Sequence, residues 1–177
     1  MRCFIALELS DEARKGLSEI QKKLPEAEMK LVEPENLHLT LQFIGELTEE
    51  QVEKCMKLLR QVKFQKFKAK LGNLGFFPSE DYLRVLWIAL EPSEIVKQLH
   101  DKICNALKPI LSLDNKFKSH VTMARIKSIT DKKGFIEQFK SLRCKEIEFE
   151  VESFVLKKST LTEKGPVYED LEEFKLT

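Results

Sequence analysis

Placed beside each other, His38 and His120, 82 positions later in a chain of 177 residues, open two stretches that read alike. HLTLQFIGELTEE lies over HVTMARIKSITDK, with Thr40 on Thr122, Leu41 on Met123 and Ile44 on Ile126. Leu47 also meets Ile129, Thr48 meets Thr130 and Glu49 meets Asp131. Each copy reads as a strand, a turn and the capped start of a helix. Phe67 and Phe149, again 82 apart, each begin an alternating strand pattern. A diverged duplication of this kind restricts the fold severely. Two copies of one unit pack about a pseudo-two-fold axis, and their matching strands then face each other across one cleft.

The remaining pattern fits that frame. Cys3–Leu9 is expected as a strand, followed by a helix that Ser10 caps and Asp11 and Glu12 open. Ala13, Leu17, Ile20 and Leu24 form its apolar face, and Pro25 ends it. Met29–Val32 is a short extended piece and Leu37–Ile44 a strand closed by Gly45, after which Thr48 and Gln51 form a capping box. Strands are expected near Phe64–Leu74 and Leu83–Leu90, joined through a turn at Gly75-Phe76-Phe77-Pro78-Ser79. A helix over Ser93–Leu111 precedes the strand Ser119–Ile126. Thr130 starts another helix, and strands over Glu146–Leu156 and Val167–Leu171 follow. Several neighbouring strands are linked by short turns, which points to an α+β fold with mainly antiparallel sheet. Residues 1–177 are read as one domain made of two halves that share one cleft.

The chemistry lies in the repeated strand. Side chains alternate along a strand, so in Leu37-His38-Leu39-Thr40-Leu41 the leucines share one face and His38 and Thr40 the other. Ser119-His120-Val121-Thr122-Met123 repeats this. The apolar faces pack inward, so each His/Thr face is turned towards its counterpart. One neutral imidazole can take a proton from attacking water while a protonated one gives a proton to a departing sugar oxygen. Threonine hydroxyls can stabilise the charge growing on the phosphate oxygens. A duplication kept for packing alone preserves the apolar face but has no reason to keep His and Thr on the polar one. Arg125 is the one arginine close to either motif and suits a charge-assisted phosphate contact, although strict alternation puts it on the wrong face unless the strand is bulged or ends first. The third histidine, His100, lies mid-helix and reads as a surface or half-buried residue.

These residues resemble the 2H phosphoesterase superfamily, and in particular its RNA 2′,3′-cyclic phosphodiesterase branch, also known as 2′-5′ RNA ligase. The resemblance is carried by the two His-x-Thr-x motifs and by MRCFIALEL, NLHLTLQFIGEL, LRVLWIAL, SHVTMARI and FVLKKSTLTEKGPVY, spread over the whole chain. It implies a bilobal α+β fold of two intertwined lobes, with helices outside and a central V-shaped cleft holding both motifs, and metal-independent, cofactor-free hydrolysis of an RNA 2′,3′-cyclic phosphate to a 2′-phosphate. It further implies that His38 donates the proton to the leaving oxygen, that His120 is the base on water, and that Thr40, Thr122 and Arg125 contact the phosphate. The residues alone leave the two histidines interchangeable. Phe43 stands where the second half has Arg125, so the halves are not equivalent.

Other features point less sharply. Phe76 and Phe77 are candidates for stacking on a base, though a hydrophobic turn packed on the core accounts for them as well. Lys116, Lys118 and Arg84 are candidates for drawing in RNA phosphates, against the plainer reading of a solvated surface. The net charge of +1 excludes a globally basic nucleic-acid binder, so affinity for phosphate has to be local. Cys3, Cys55, Cys104 and Cys144 form no CxxC pair and lie near no histidine at metal-ligand spacing. No signal peptide or membrane span is visible, so a cytoplasmic location is expected, and with no heptad run or long apolar edge a monomer is expected; the resemblance implies RNA 3′ ends with a 2′,3′-cyclic phosphate, or small cyclic nucleotides, as partners. Two alternatives share the same residues: joining RNA ends through a 2′-5′ linkage, and a binding module without turnover.

Overall fold

The computed structural model describes residues 1–177. Strand β1 (Arg2–Glu8) leads into helix α1 (Asp11–Lys22), whose first turn is capped by Ser10, with Ala13 N–H donating to Ser10 Oγ at 3.1 Å. Strand β2 (Glu28–Leu31) and a single 3-10 turn at Pro34–Asn36 precede β3 (His38–Glu46). Thr48 caps α2 (Glu49–Leu59) through the full reciprocal box with Gln51. The hairpin β4 (Phe67–Ser79) and β5 (Tyr82–Glu91) leads to α3 (Ser93–Leu107), β6 (His120–Ser128) and α4 (Lys132–Ser141). Strands β7 (Glu148–Val151), β8 (Ser153–Thr162) and β9 (Gly165–Lys175) complete the chain.

All nine strands form one antiparallel sheet in the order β7-β4-β5-β6-β3-β1-β8-β9, with β2 paired to β6. A line between β6 and β3 divides it into two lobes of matching design, in which β6 answers β3, β5 answers β1 and β4 answers β8. The helices cover the apolar face. They also cross over: α1 packs on β6, whereas α3 packs on β5 and β3, so each lobe's strands lean on the other copy's helix. The core is continuous across the division, with Leu7, Leu39, Leu41, Val121 and Met123 all fully or almost fully buried. The sheet curls strongly. β7 lies at one edge and β8 next to the other, yet only Glu152 separates them in sequence. The edges are pinned further by Leu176 N–H to the Glu152 carbonyl (2.8 Å) and Thr177 N–H to the Phe64 carbonyl (3.0 Å). No helix is long and apolar enough to cross a membrane.

The structure corrects several expected boundaries. Glu146–Leu156 is two strands, because the chain changes edges at Glu152. The expected turn at Gly75–Ser79 lies inside β4, and the reversal falls at Glu80-Asp81 instead, where polar residues replace the aromatic run that β5 keeps paired. Gly45 does not close β3, which runs on to Glu46 with Gly45 at φ +96°. The cap of α4 is Asp131, which accepts from Gly134 N–H at 3.0 Å, one residue beyond Thr130.

Candidate active site

The two histidine strands are neighbours at the centre of the sheet. They pair at one register position, Leu39 with Val121, and then splay apart. Opposed residues of an antiparallel pair point to the same face. His38, Thr40, His120 and Thr122 flank that pair, so all four side chains project from the opposite face into the gap. His38 and His120 occupy diagonal positions, which in a regular antiparallel pair lie roughly 7–8 Å apart. That separation suits a phosphate held between two hydrogen-bonding rings.

Arg125 reaches the same face because β6 is bulged. Thr122 pairs with Trp87 and Ala124 with Leu86, leaving Met123 as the extra residue. Burial follows: Met123 and Ala124 are both inside, and Arg125 emerges beside Val85 and Lys30. The bulge is clamped from behind by the buried Gln21 of α1, whose amide donates to the carbonyls of Met123 and Val32, both at 2.9 Å. β3 carries the same irregularity at the matching place. Ile5 pairs with Gln42 and Ala6 with Thr40, so Leu41 is extra, Gln42 is buried and Phe43 stands 67% exposed on the cleft face. Leaving Phe43 in water forgoes roughly 1.5–3 kcal/mol of burial. The duplication therefore includes its two β-bulges.

The imidazoles are oriented identically. His38 Nδ1 lies 2.6 Å from the Asn36 carbonyl and His120 Nδ1 lies 2.7 Å from the Lys118 carbonyl, two residues back in each case. A carbonyl only accepts, so Nδ1 carries the hydrogen in both rings and Nε2 is left for chemistry. His38 Nε2 meets Thr40 Oγ1 at 2.9 Å. Burial pushes both imidazoles below the usual histidine range, partly offset by these carbonyl bonds. Their charged neighbours differ. Glu8, the residue opposite His38 in β1, pulls His38 back up against the smaller opposing effects of Lys157 and Arg14. Around His120 the acting charges, Arg125 and Lys118, both push further down. The two rings thus differ in their charged neighbours: an anion stands beside His38, and only cations stand beside His120.

The walls differ in the same sense. On the His38 side Phe4 lies 5.2 Å from the imidazole and Tyr168 of β9 stands edge-on to it at 5.3 Å. Beside them the buried Lys157 is held by Glu8 at 2.5 Å and Asp170 at 2.7 Å, and Arg14 pairs with the other oxygen of Glu8. On the His120 side the wall is aromatic. Phe77 meets the imidazole edge-on at 5.0 Å, Trp87 lies 6.1 Å away, and the Lys118 ammonium sits 5.4 Å over the Trp87 ring. Gly75 makes room for that ring, since a Cβ there would fall 2.2 Å from Trp87 Cζ2.

Of the two phenylalanines weighed as base-stacking candidates against core packing, only Phe77 faces the cleft. Phe76 points to the other side of β4 and packs on Phe139 of α4, because adjacent strand residues alternate. Lys118 borders the site. Arg84 is tied to the carbonyls of Ile126 and Lys127 and lies over Tyr82, and Lys116 is exposed on the loop before β6. His100 is no surface residue: it is fully buried behind β3. Sequence reasoning passed over Tyr168 and Glu8, whose only signals are the strand parities that place them beside His38. No three His, Cys, Asp or Glu side chains are grouped so as to hold a metal ion. The arrangement offers two imidazoles aimed into one gap, hydroxyls and a guanidinium for a phosphate, and aromatic faces for a base.

The family model described as LigT-like phosphoesterase matches this chain twice, over residues 7–87 and 89–168, once in each copy of the duplication. The chain is 36% identical to an RNA 2′,3′-cyclic phosphodiesterase of Archaeoglobus fulgidus over 98% of its length and 99% of the relative's. It is 37% identical to an RNA 2′,3′-cyclic phosphodiesterase of Aquifex aeolicus, over 99% and 97% of the two chains. Among solved structures, TT0787 of Thermus thermophilus superposes with a TM-score of 0.81 at 33% identity, over 99% of this chain and 97% of that one.

Proposed function

We propose, from the premise that this chain belongs to the LigT-like phosphoesterase family, that it hydrolyses RNA 2′,3′-cyclic phosphate ends to 2′-phosphomonoesters without a metal or other cofactor. The observation that carries the reading is the matched pair of imidazoles. Both project from adjacent central strands into one gap, and both have Nδ1 engaged by a carbonyl two residues back.

In this mechanism the cyclic phosphate sits between the rings, with its non-bridging oxygens on Thr40, Thr122 and Arg125. Water attacks phosphorus opposite the 3′-oxygen, and His120 Nε2 takes the proton as the new P–O bond forms. The bond from phosphorus to the 3′-oxygen breaks, and His38 Nε2 delivers its proton to that oxygen. The products are a 2′-phosphate and a free 3′-hydroxyl, and a proton exchange through solvent resets the pair. Glu8 near His38 and the cations near His120 support this division of roles. The substrate's negative charge raises both imidazoles on binding, which helps His38 hold its proton at neutral pH. The aromatic faces of Phe43 and Phe77 are placed to border the base. We further read residues 1–177 as one domain working as a cytoplasmic monomer, in line with four cysteines that are all free.

The deciding experiment is product analysis after incubation with a short RNA ending in a 2′,3′-cyclic phosphate, in the presence of a chelator. A 2′-phosphate product is expected. His38→Ala and His120→Ala are each expected to lose roughly 10²–10⁴ in rate while keeping the fold. Near-normal turnover by either variant refutes the mechanism.

A further inference from the structure

A regular β3 would send Leu39, Leu41 and Phe43 inward and His38, Thr40 and Gln42 outward. Polarity alone favours that strand. The structure reverses its end, with Gln42 inside at 8% exposure and Phe43 out. The matching bulge in β6 faces no such opposition, since it sends Ala124 in and Arg125 out. Something behind β3 has to compensate the buried amide.

Helix α3 does so. His100 Nε2 meets Gln42 Oε1 at 3.0 Å, and Cys104 Sγ donates to the same oxygen at 3.3 Å. The Gln42 amide nitrogen donates to the Phe43 carbonyl at 2.9 Å, so every polar atom of this side chain is engaged. His100 is itself held on both remaining sides. Its Nδ1 lies 3.1 Å from Asp101 Oδ1, and its ring stacks on Phe117 with centroids 4.5 Å apart and planes 15° from parallel. Phe117 lies three residues ahead of His120, and Ser119 between them anchors to the Leu90 carbonyl at 2.5 Å. One buried imidazole therefore touches the strand of the first motif and the segment leading into the second. It does not touch the cleft.

We propose that His100 is a positioning residue: by satisfying Gln42 inside the core it keeps the bulge at Leu41, and so keeps Phe43 on the cleft floor as a platform for the substrate's base. The part played by Phe43 rests on the nucleotide-binding reading above, whereas the part played by His100 in the bulge does not.

Two measurements separate these layers. The first is thiol labelling of Phe43→Cys in a Cys144→Ser background, in which the remaining cysteines are buried. Labelling is expected to slow about tenfold when His100→Phe is added, because Gln42 Oε1 then keeps only the weak Cys104 thiol donor inside the core, so Gln42 turns outward and residue 43 turns in. His100→Phe keeps the stacking on Phe117 but removes the donor, and His100→Met serves if that variant does not fold. His100→Gln, which can place an amide donor near the Nε2 position, is expected to label like the parent. The second measurement is steady-state kinetics on a 2′,3′-cyclic nucleotide. His100→Phe is expected to raise KM about tenfold with a much smaller change in kcat, and to add nothing further in a Phe43→Ala background. Unchanged labelling and KM with only a lowered melting temperature would overturn the proposal and leave His100 a packing residue. If the parent protein turns over no cyclic nucleotide, the functional reading fails, and labelling alone still decides the bulge.

Discussion

The close approach of Gly75 to Trp87 offers a demanding test of how the His120 wall is built. In Gly75→Ala the new Cβ falls 2.2–2.6 Å from Cζ2, Cη2 and Cε2 of the indole, well inside contact distance. Trp87 is buried and wedged between Phe77, 5.0 Å from it, and His120, so it cannot give way without moving one of them. Overpacking of this kind costs about 1–3 kcal/mol. For a chain of this size that corresponds to a melting temperature lower by roughly 2–12 °C. The chemical cost is expected to be larger, since a shift of about 1 Å in a catalytic group can remove as much as 10²-fold in rate. Thermal melting and kcat on a cyclic nucleotide read the two effects. Trp87 is the single tryptophan of the chain, so its emission spectrum reports the displacement directly. Gly75→Ala/Trp87→Phe, with a smaller ring, is expected to recover most of the lost stability. A Gly75→Ala protein with unchanged melting, emission and kcat would refute the packing argument.

Three further outcomes follow from the electrostatics. Arg125→Ala is expected to reduce kcat/KM by roughly 10–100-fold, the size of a lost charge-assisted hydrogen bond, with Arg125→Lys intermediate; no loss would remove Arg125 from the phosphate site. The kcat/KM profile is expected to be bell-shaped and displaced to the acid side of about pH 6.5, because burial lowers both imidazoles. Glu8→Gln removes the one charge that raises His38, so the alkaline limb, where His38 loses its proton, is expected to move to lower pH while the acid limb set by His120 stays; a fixed alkaline limb would contradict the assignment of His38 as the acid.

The duplication made much of this legible in the sequence. The parity of His38 with Thr40 and of His120 with Thr122 placed all four on one face, and the caps at Ser10 and Thr48 lie where their side-chain chemistry requires. A bulge was named as the condition for Arg125 to reach the site, but where alternation breaks was not legible. The bulges at Leu41 and Met123 return Phe43 and Arg125 to the cleft, and no residue there advertises an inserted position, since leucine and methionine suit a regular strand equally well. His100 was unreadable for a related reason. A mid-helix histidine between lysines and acids looks solvated until the partner that justifies its burial, Gln42, is itself known to point inward. Phe76 and Phe77 were split between two faces because their run continues as strand instead of turning. Tyr168 and Glu8 depended on pairings between strands remote in sequence, and local pattern does not encode those.

The one-residue passage at Glu152 bears on how the enzyme can move. With the edge strand of one lobe joined through a single residue to the next-to-edge strand of the other, and stitched again through Leu176 and Thr177, the molecule resembles a book whose covers are fastened to each other as well as to the spine. Wide opening of the lobes would tear backbone hydrogen bonds on both sides at once. A substrate therefore meets a cleft whose width is held from the edges of the sheet as well as from its centre.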